Sequence, residues 1–310
     1  MTHAHPLGPL RASRPFSFDL TLSFLCSFAP TAGEQRTDDG TFSKAVALDD
    51  GGAALVELRR GHDPATLDGT VTSDRRLDAA ALERVADRLR FQLSLDDDVG
   101  DFYARAERDA AFAPVVRRWF DHHHVKFPSP IEIATWAVLA QRAPIAVARR
   151  TKDALVAELG PTVTVDGVVH RAFPTAAAFA DAPPAVLARI VGNSVKAPAI
   201  ASIARALRDL DPHALLDAPY DEALGWLRAL PRIGEWSAAF ILFRGLGRME
   251  RLSPRPEPIL AAARSVYGGL SDRALGAVAA RYGRWCGYWA LYLRRGGPRH
   301  ERQGRAAAVE

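Results

Sequence analysis

Apolar positions change their period along this chain, and the change divides it. Phe16, Phe18, Leu20 and Leu22 alternate with Ser17, Asp19, Thr21 and Ser23, the two-residue period of a half-buried strand, and Leu22 to Phe28 can pass into a short helix. Phe42, Val46 and Leu48 alternate again, the DDGG of residues 49–52 supplies a turn, and residues 55–58 answer as the partner of a hairpin. Leu82, Val85, Ala86 and Leu89 then fall at helical spacing. The pattern predicts a small α+β domain with an antiparallel sheet over residues 15–98. Residues 1–14, with two prolines, two histidines and no period, are expected to be a flexible arm.

From Pro130 the spacing is helical. Ile133, Trp136, Ala137 and Ala140 make one face, and Pro144 restarts a helix after Gln141 and Arg142. Leu224, Leu227 and Leu230 recur every three residues until Pro231 removes a backbone donor; Ile233 and Gly234 close a tight turn, and Trp236, Ala239, Phe240 and Phe243 resume at i, i+3, i+4, i+7. This predicts two helices joined by a hairpin. The run from Tyr282, YGRWCGYWALYLRRG, is apolar almost all round and predicts a buried closing helix. Residues 99–296 are thus expected to form an all-α bundle of two subdomains, followed by a disordered tail over 297–310.

Composition narrows this picture modestly. At 310 residues, 48% hydrophobic and 25% charged, the chain is ordinary for a soluble globular protein with a sizeable core. The net charge is +4, and about 36 of the 40 cations are Arg, which favours bidentate phosphate contacts without requiring them. Cys26 and Cys286 lie far apart and no CxxC pair exists, which argues against a disulfide framework or an iron–sulfur cluster and fits a reducing cytosol. No apolar run reaches the ~20 residues of a membrane span, and Asp19 interrupts the approach to the one stretch that could imitate a signal peptide. Adjacent carboxylates at 96–98 and adjacent histidines at 122–124 do not converge on one point, so neither run by itself makes a metal site.

The hairpin has chemistry of its own. A helix that starts at a turn presents unpaired N–H groups and a partial positive charge, a seat for phosphate, although an ordinary corner between helices has the same spacing. LPRIGEWSAAF resembles the hairpin of the helix-hairpin-helix DNA glycosylases, in their 3-methyladenine DNA glycosylase II branch. LAQRAPIAVARR and YWALYLRRG resemble further segments of that branch, and the likeness runs from Phe16 to Gly296.

The resemblance implies a monofunctional glycosylase of base excision repair, acting as a monomer on double-stranded DNA with an alkylated base. It would be a cytoplasmic, nucleoid-associated bacterial protein with no membrane partner and no cofactor for catalysis. Pro231, Arg232, Ile233, Gly234, Glu235 and Trp236 would grip the DNA backbone, and the carbonyls of Arg228, Leu230 and Ile233 would hold a structural Na+ or K+. Gln141 and Arg142 would enter the minor groove beside the everted nucleotide. Trp236, Phe240 and Arg294 would line the base pocket, where π surfaces can bind a cationic alkylated purine. Trp236 and Phe240 can equally be read as core.

Three positions depart from the pattern. Arg232 replaces the usual hairpin Gly, so it must either strain the turn at a cost of about 1 kcal/mol or reshape it. Arg294 replaces a pocket Trp, which disfavours a cationic base unless the guanidinium turns outward. The usual catalytic Asp is missing: Glu257 stands one residue from its place and is the candidate for stabilising oxocarbenium charge, unless it merely complements a helix N-terminus. Glu250 is the alternative. The rival reading is a non-catalytic helix-hairpin-helix protein that binds DNA lesions.

Overall fold

The computed structural model describes residues 2–31, 33–211, 213–252 and 257–296; the side chains of residues 257 and 258 lie outside that description, as does the expected tail, 297–310. Five strands and one helix open the chain: β1 (His3–Arg11), α1 (Phe18–Ser27), β2 (Gln35–Arg36), β3 (Thr41–Ala47), β4 (Ala53–Arg60) and β5 (Thr66–Ser73). They make one antiparallel sheet in the order β1-β5-β4-β3-β2, with the DDGG turn joining β3 to β4 as expected.

Two expectations are corrected here. Residues 1–14 are no loose arm, because β1 pairs with β5 along its length. Pro6 and Pro9 are tolerated at the sheet edge, and the register shifts between Leu7 and Leu10, both buried, so the period of two is lost where the sequence would show it. Residues 16–23 are not a strand. Ser17 accepts from Leu20 N and caps α1, and Phe18, Leu22 and Leu25 are buried at i, i+4, i+7. Phe18 and Leu22 satisfy both periods, and the cap decides between them.

α2 (Ala79–Leu93) covers one face of the sheet, capped by Asp78 and ended by a left-handed Ser94. The helical part follows: α3 (Gly100–Glu107), α4 (Ala113–Arg118), α5 (Pro130–Leu139) and α6 (Ile145–Leu159), then α7 (Ala176–Asp181), α8 (Pro184–Val191) and α9 (Lys196–Arg208). It ends with α10 (Ala214–Asp217), α11 (Tyr220–Arg228), α12 (Glu235–Phe240), α13 (Glu257–Tyr267), α14 (Asp272–Ala280) and α15 (Cys286–Gly296). It has two cores, as expected. One runs from Phe127 to Leu246 and includes the hairpin; the other joins α3 and α4 to α13, α14 and α15, whose residues Cys286–Leu293 are buried all round.

The bundle is not purely α. β6 (Thr162–Val165) and β7 (Val168–Arg171) form a hairpin whose Val163 packs with Ala45, Ala53 and Leu55 on the far face of the first sheet. Beside that contact, Glu34 and Lys44 from the sheet unit meet Glu132 of α5 and Lys152 of α6, all buried. The two units are therefore joined by both apolar and ionic burial. Among the described residues no helix is long and apolar enough to cross a membrane.

Candidate nucleic-acid interface

Tyr220–Arg228 and Glu235–Phe240 flank the turn 229–234. Ile233 is the anchor, 3% exposed in the first helical core, while Pro231, Arg232, Gly234, Glu235 and Trp236 are exposed around it. Arg232 takes φ +65°, the left-handed conformation that Gly adopts freely, so the strain alternative is the one realised. Gly234 is extended, with φ −82° and ψ 179°, and no side chain caps the N-terminus of α12. Leu230 O accepts from Ile233 N at 3.2 Å, which leaves that carbonyl a second lone pair.

The loop after α5 is tied to this turn. Gln141 Nε2 donates to Arg232 O at 2.7 Å and reaches Ser237 Oγ at 3.4 Å. Lys196, at the start of α9, donates through Nζ to Leu139 O and Gln141 O, each at 2.8 Å, and so closes the C-terminus of α5. Burial and then the neighbouring Arg232 hold the Lys196 amine below the ordinary lysine range. Arg142 is exposed at φ +50° on the tip of the same loop. Gln141 and Arg142 are thereby brought together with the hairpin, but the Gln141 side chain is spent on the turn.

Trp236 is 36% exposed and stacks on Phe240, with ring centres 5.2 Å apart and 8° between planes. Phe240 meets Phe127 edge to face at 6.3 Å, and Phe127 meets Phe28, just past the end of α1, at 5.3 Å. A ladder of rings thus runs from the exposed indole into the sheet unit. After Phe240 the helix widens into a π turn over Ile241–Gly245, and Gly245 permits its contact with α5, since a Cβ there would come within 2.6 Å of Ile133 Cγ2.

No family model matches the chain. Two curated relatives, both named probable bifunctional transcriptional activator/DNA repair enzyme AlkA and from two Mycobacterium tuberculosis strains, are 28% identical over 290 residues. That alignment takes in 92% of this chain and 55% of theirs, so the chain spans about half the length of the curated relatives it matches. A 3-methyladenine DNA-glycosylase from Archaeoglobus fulgidus superposes with TM-score 0.75 at 21% identity, covering 92% of this chain and 96% of that one. The fold is that of the helix-hairpin-helix DNA glycosylases. An 8-oxoguanine glycosylase/lyase from Clostridium acetobutylicum agrees, with TM-score 0.62, 14% identity and 91% of each chain covered.

Within this glycosylase fold the remaining site residues fall as follows. Glu257 opens α13, and its side chain lies outside the described residues. Glu250 is held at 2.6 Å by Arg248, which also donates to Leu215 O and Leu216 O. Arg294 is exposed on the last turn of α15, near enough to Arg244 to lower its basicity. His122, His123 and His124 are all buried: the His122 carbonyl accepts from the Tyr292 hydroxyl at 2.9 Å, the His123 ring faces Ser94 O at 2.6 Å and Pro15 O at 2.8 Å, and the described residues contain no group of His, Cys, Asp or Glu able to hold a metal. Sequence reasoning missed Lys196 as a tie and Arg244 as a buried cation; an Arg inside the apolar run AFILFRGL was the available signal for the second.

Proposed function

We propose that this chain is a monofunctional DNA glycosylase that everts an alkylated, 3-methyladenine-type base from double-stranded DNA and releases it by hydrolysis, working as a monomer on nucleoid DNA in the cytoplasm. The observation that carries this reading is the bond from Gln141 to Arg232 O, which joins a loop able to enter the minor groove to a turn able to hold the strand, beside a stacked and half-exposed Trp236. Eversion requires a wedge, a backbone grip and an aromatic acceptor at fixed separation. The names of the similar proteins support the substrate class.

In this cycle Arg142 supports the gap left in the duplex, while the base stacks against Trp236 over Phe240. Water attacks the sugar carbon as the bond to the base breaks, the electron pair leaving with the base and the proton of the attacking water passing to solvent, and the Glu257 carboxylate stabilises the positive charge that builds on the sugar ring. The carbonyls of Arg228, Leu230 and Ile233 are hard oxygen donors, which fit Na+ or K+, and a cation held there would brace the turn against phosphate.

The second reading, a lesion binder without turnover, is favoured by the same departures, Arg232, Arg294 and the absent Asp. Release of methylated bases from a randomly methylated duplex separates them. Release by the wild-type chain that falls at least a hundredfold in Glu257→Gln, with duplex affinity retained, supports the enzyme. Tight lesion binding with no release by the wild-type chain sinks it.

A further inference from the structure

Arg244 is a cation kept inside the protein by rings rather than by a carboxylate. Arg244 is 7% exposed; its guanidinium lies 5.0 and 4.9 Å from the ring centres of Phe24 on α1 and Phe28 just after it, and Nη1 donates to His124 Nδ1 at 3.1 Å. Arg295 approaches from α15, 4.6 Å from the Trp119 ring and 5.6 Å from Phe24, with Nη1 2.7 Å from Nε2 of His122. Both imidazoles are neutral partners, since burial and then the adjacent arginines hold them well below the ordinary histidine range.

Among the described residues no carboxylate pairs with either guanidinium. Burial, followed by repulsion from Arg294 and Arg295, brings Arg244 down to about 9, and burial brings Arg295 down to about 10. Ring faces and imidazoles return less than the desolvation of an ion costs, and among the described residues the one side-chain hydrogen-bond partner of the Arg244 guanidinium is the neutral His124. A second observation comes from the backbone. Arg244 sits in the π turn Ile241–Gly245, an insertion that helices frequently carry at functional positions. Four separate segments converge here: α1, residues 119–124, the hairpin helix and α15.

We propose that Arg244 and Arg295 form a binding site for an oxyanion of the phosphate or sulfate class, where the sheet unit meets both helical subdomains. Phe24, Phe28 and Trp119 hold the two planar forks in place, so an arriving oxyanion accepts from groups already oriented. Arg295, half-buried, opens the site to solvent. The anion comes either from the backbone of bound nucleic acid or from free phosphate, and the site stands whether or not the chain releases bases.

Thermal melting of the full chain in potassium phosphate, against potassium chloride of equal ionic strength, tests this. At about four times the dissociation constant the wild-type midpoint rises by roughly 2–4 °C in phosphate. Arg244→Met and Arg295→Met each lose that rise, and Arg244→Met melts no lower than wild type in chloride because a buried cation that no carboxylate balances is gone. An equal midpoint in both salts, or a rise kept by Arg295→Met, overturns the proposal even if Arg244→Met fails to fold. Phosphate that competes with a short duplex for the wild type but not for Arg295→Met assigns the site to a backbone phosphate; independent binding of the two assigns it to the free ion.

Discussion

Arg232 and Arg142 are both held at positive φ, +65° and +50°, on the two loops that face nucleic acid in the proposed reading. A left-handed L-residue costs about 1 kcal/mol, so each position gives up stability for a guanidinium at that point. Arg232→Gly relieves the turn, partly offset by the larger freedom that Gly gives the unfolded chain. The expected result is a stability gain of a few tenths to about 1 kcal/mol, together with weaker duplex binding and a salt slope shallower by roughly one unit. Denaturant melts and binding titrations at several salt concentrations read both. A stability loss with an unchanged salt slope would mean that Arg232 serves the turn and not the phosphate.

The hairpin and the loop after α5 behave as one element because Lys196 and Gln141 close them together. Gln141→Ala removes a partly exposed neutral bond, worth about 0.5–1.5 kcal/mol of stability, and its larger effect is expected on duplex affinity, since the loop tip is no longer set by the turn. Lys196→Met leaves two helix-end carbonyls without their donor, and about 1–3 kcal/mol is expected to go from a guanidinium chloride melt. The α11–α12 pair, the α5 face and the buried α15 were legible in the sequence because apolar spacing alone decides them. The site was legible in part: the sequence marks Arg232 as a residue that must strain or reshape the turn, and its φ decides for strain, whereas the use of Gln141 on the hairpin depends on residues 91 apart and leaves no local trace. β1 was hidden by a register shift between Leu7 and Leu10, and α1 by two residues that suit either period until the Ser17 cap is seen.

At the scale of the whole molecule, the sheet unit and the bundle share four buried charges. Lys152, 0% exposed, lies 2.5 Å from Glu34 Oε1 and 2.7 Å from Glu132 Oε1, and Lys44 lies 3.3 Å from Glu34 Oε2. Equal numbers of each sign let the group exist without water, but removal of one member leaves a buried charge unpaired, which costs about 3–5 kcal/mol. Glu132→Gln is therefore expected to destabilise the chain by that amount, in the range that loosens one unit from the other. Its pH dependence has a definite sign. Burial pushes the Glu132 carboxyl up, but Lys152 and Lys44 outweigh it, so the folded value falls below the ordinary 4.5; its stabilising share is present above 4.5 and is lost as pH falls through the lowered value. Glu34 goes the other way, raised chiefly by burial, so its share is present below 4.5 and is lost as pH rises through the raised value. Melting midpoints taken from pH 3 to 7 should show Glu132→Gln flattening the limb below 4.5 and Glu34→Gln flattening the decline above it. If both variants keep the wild-type curve, the four charges do not hold the two units together, and the apolar contact of β6 and β7 with the sheet must carry the junction alone.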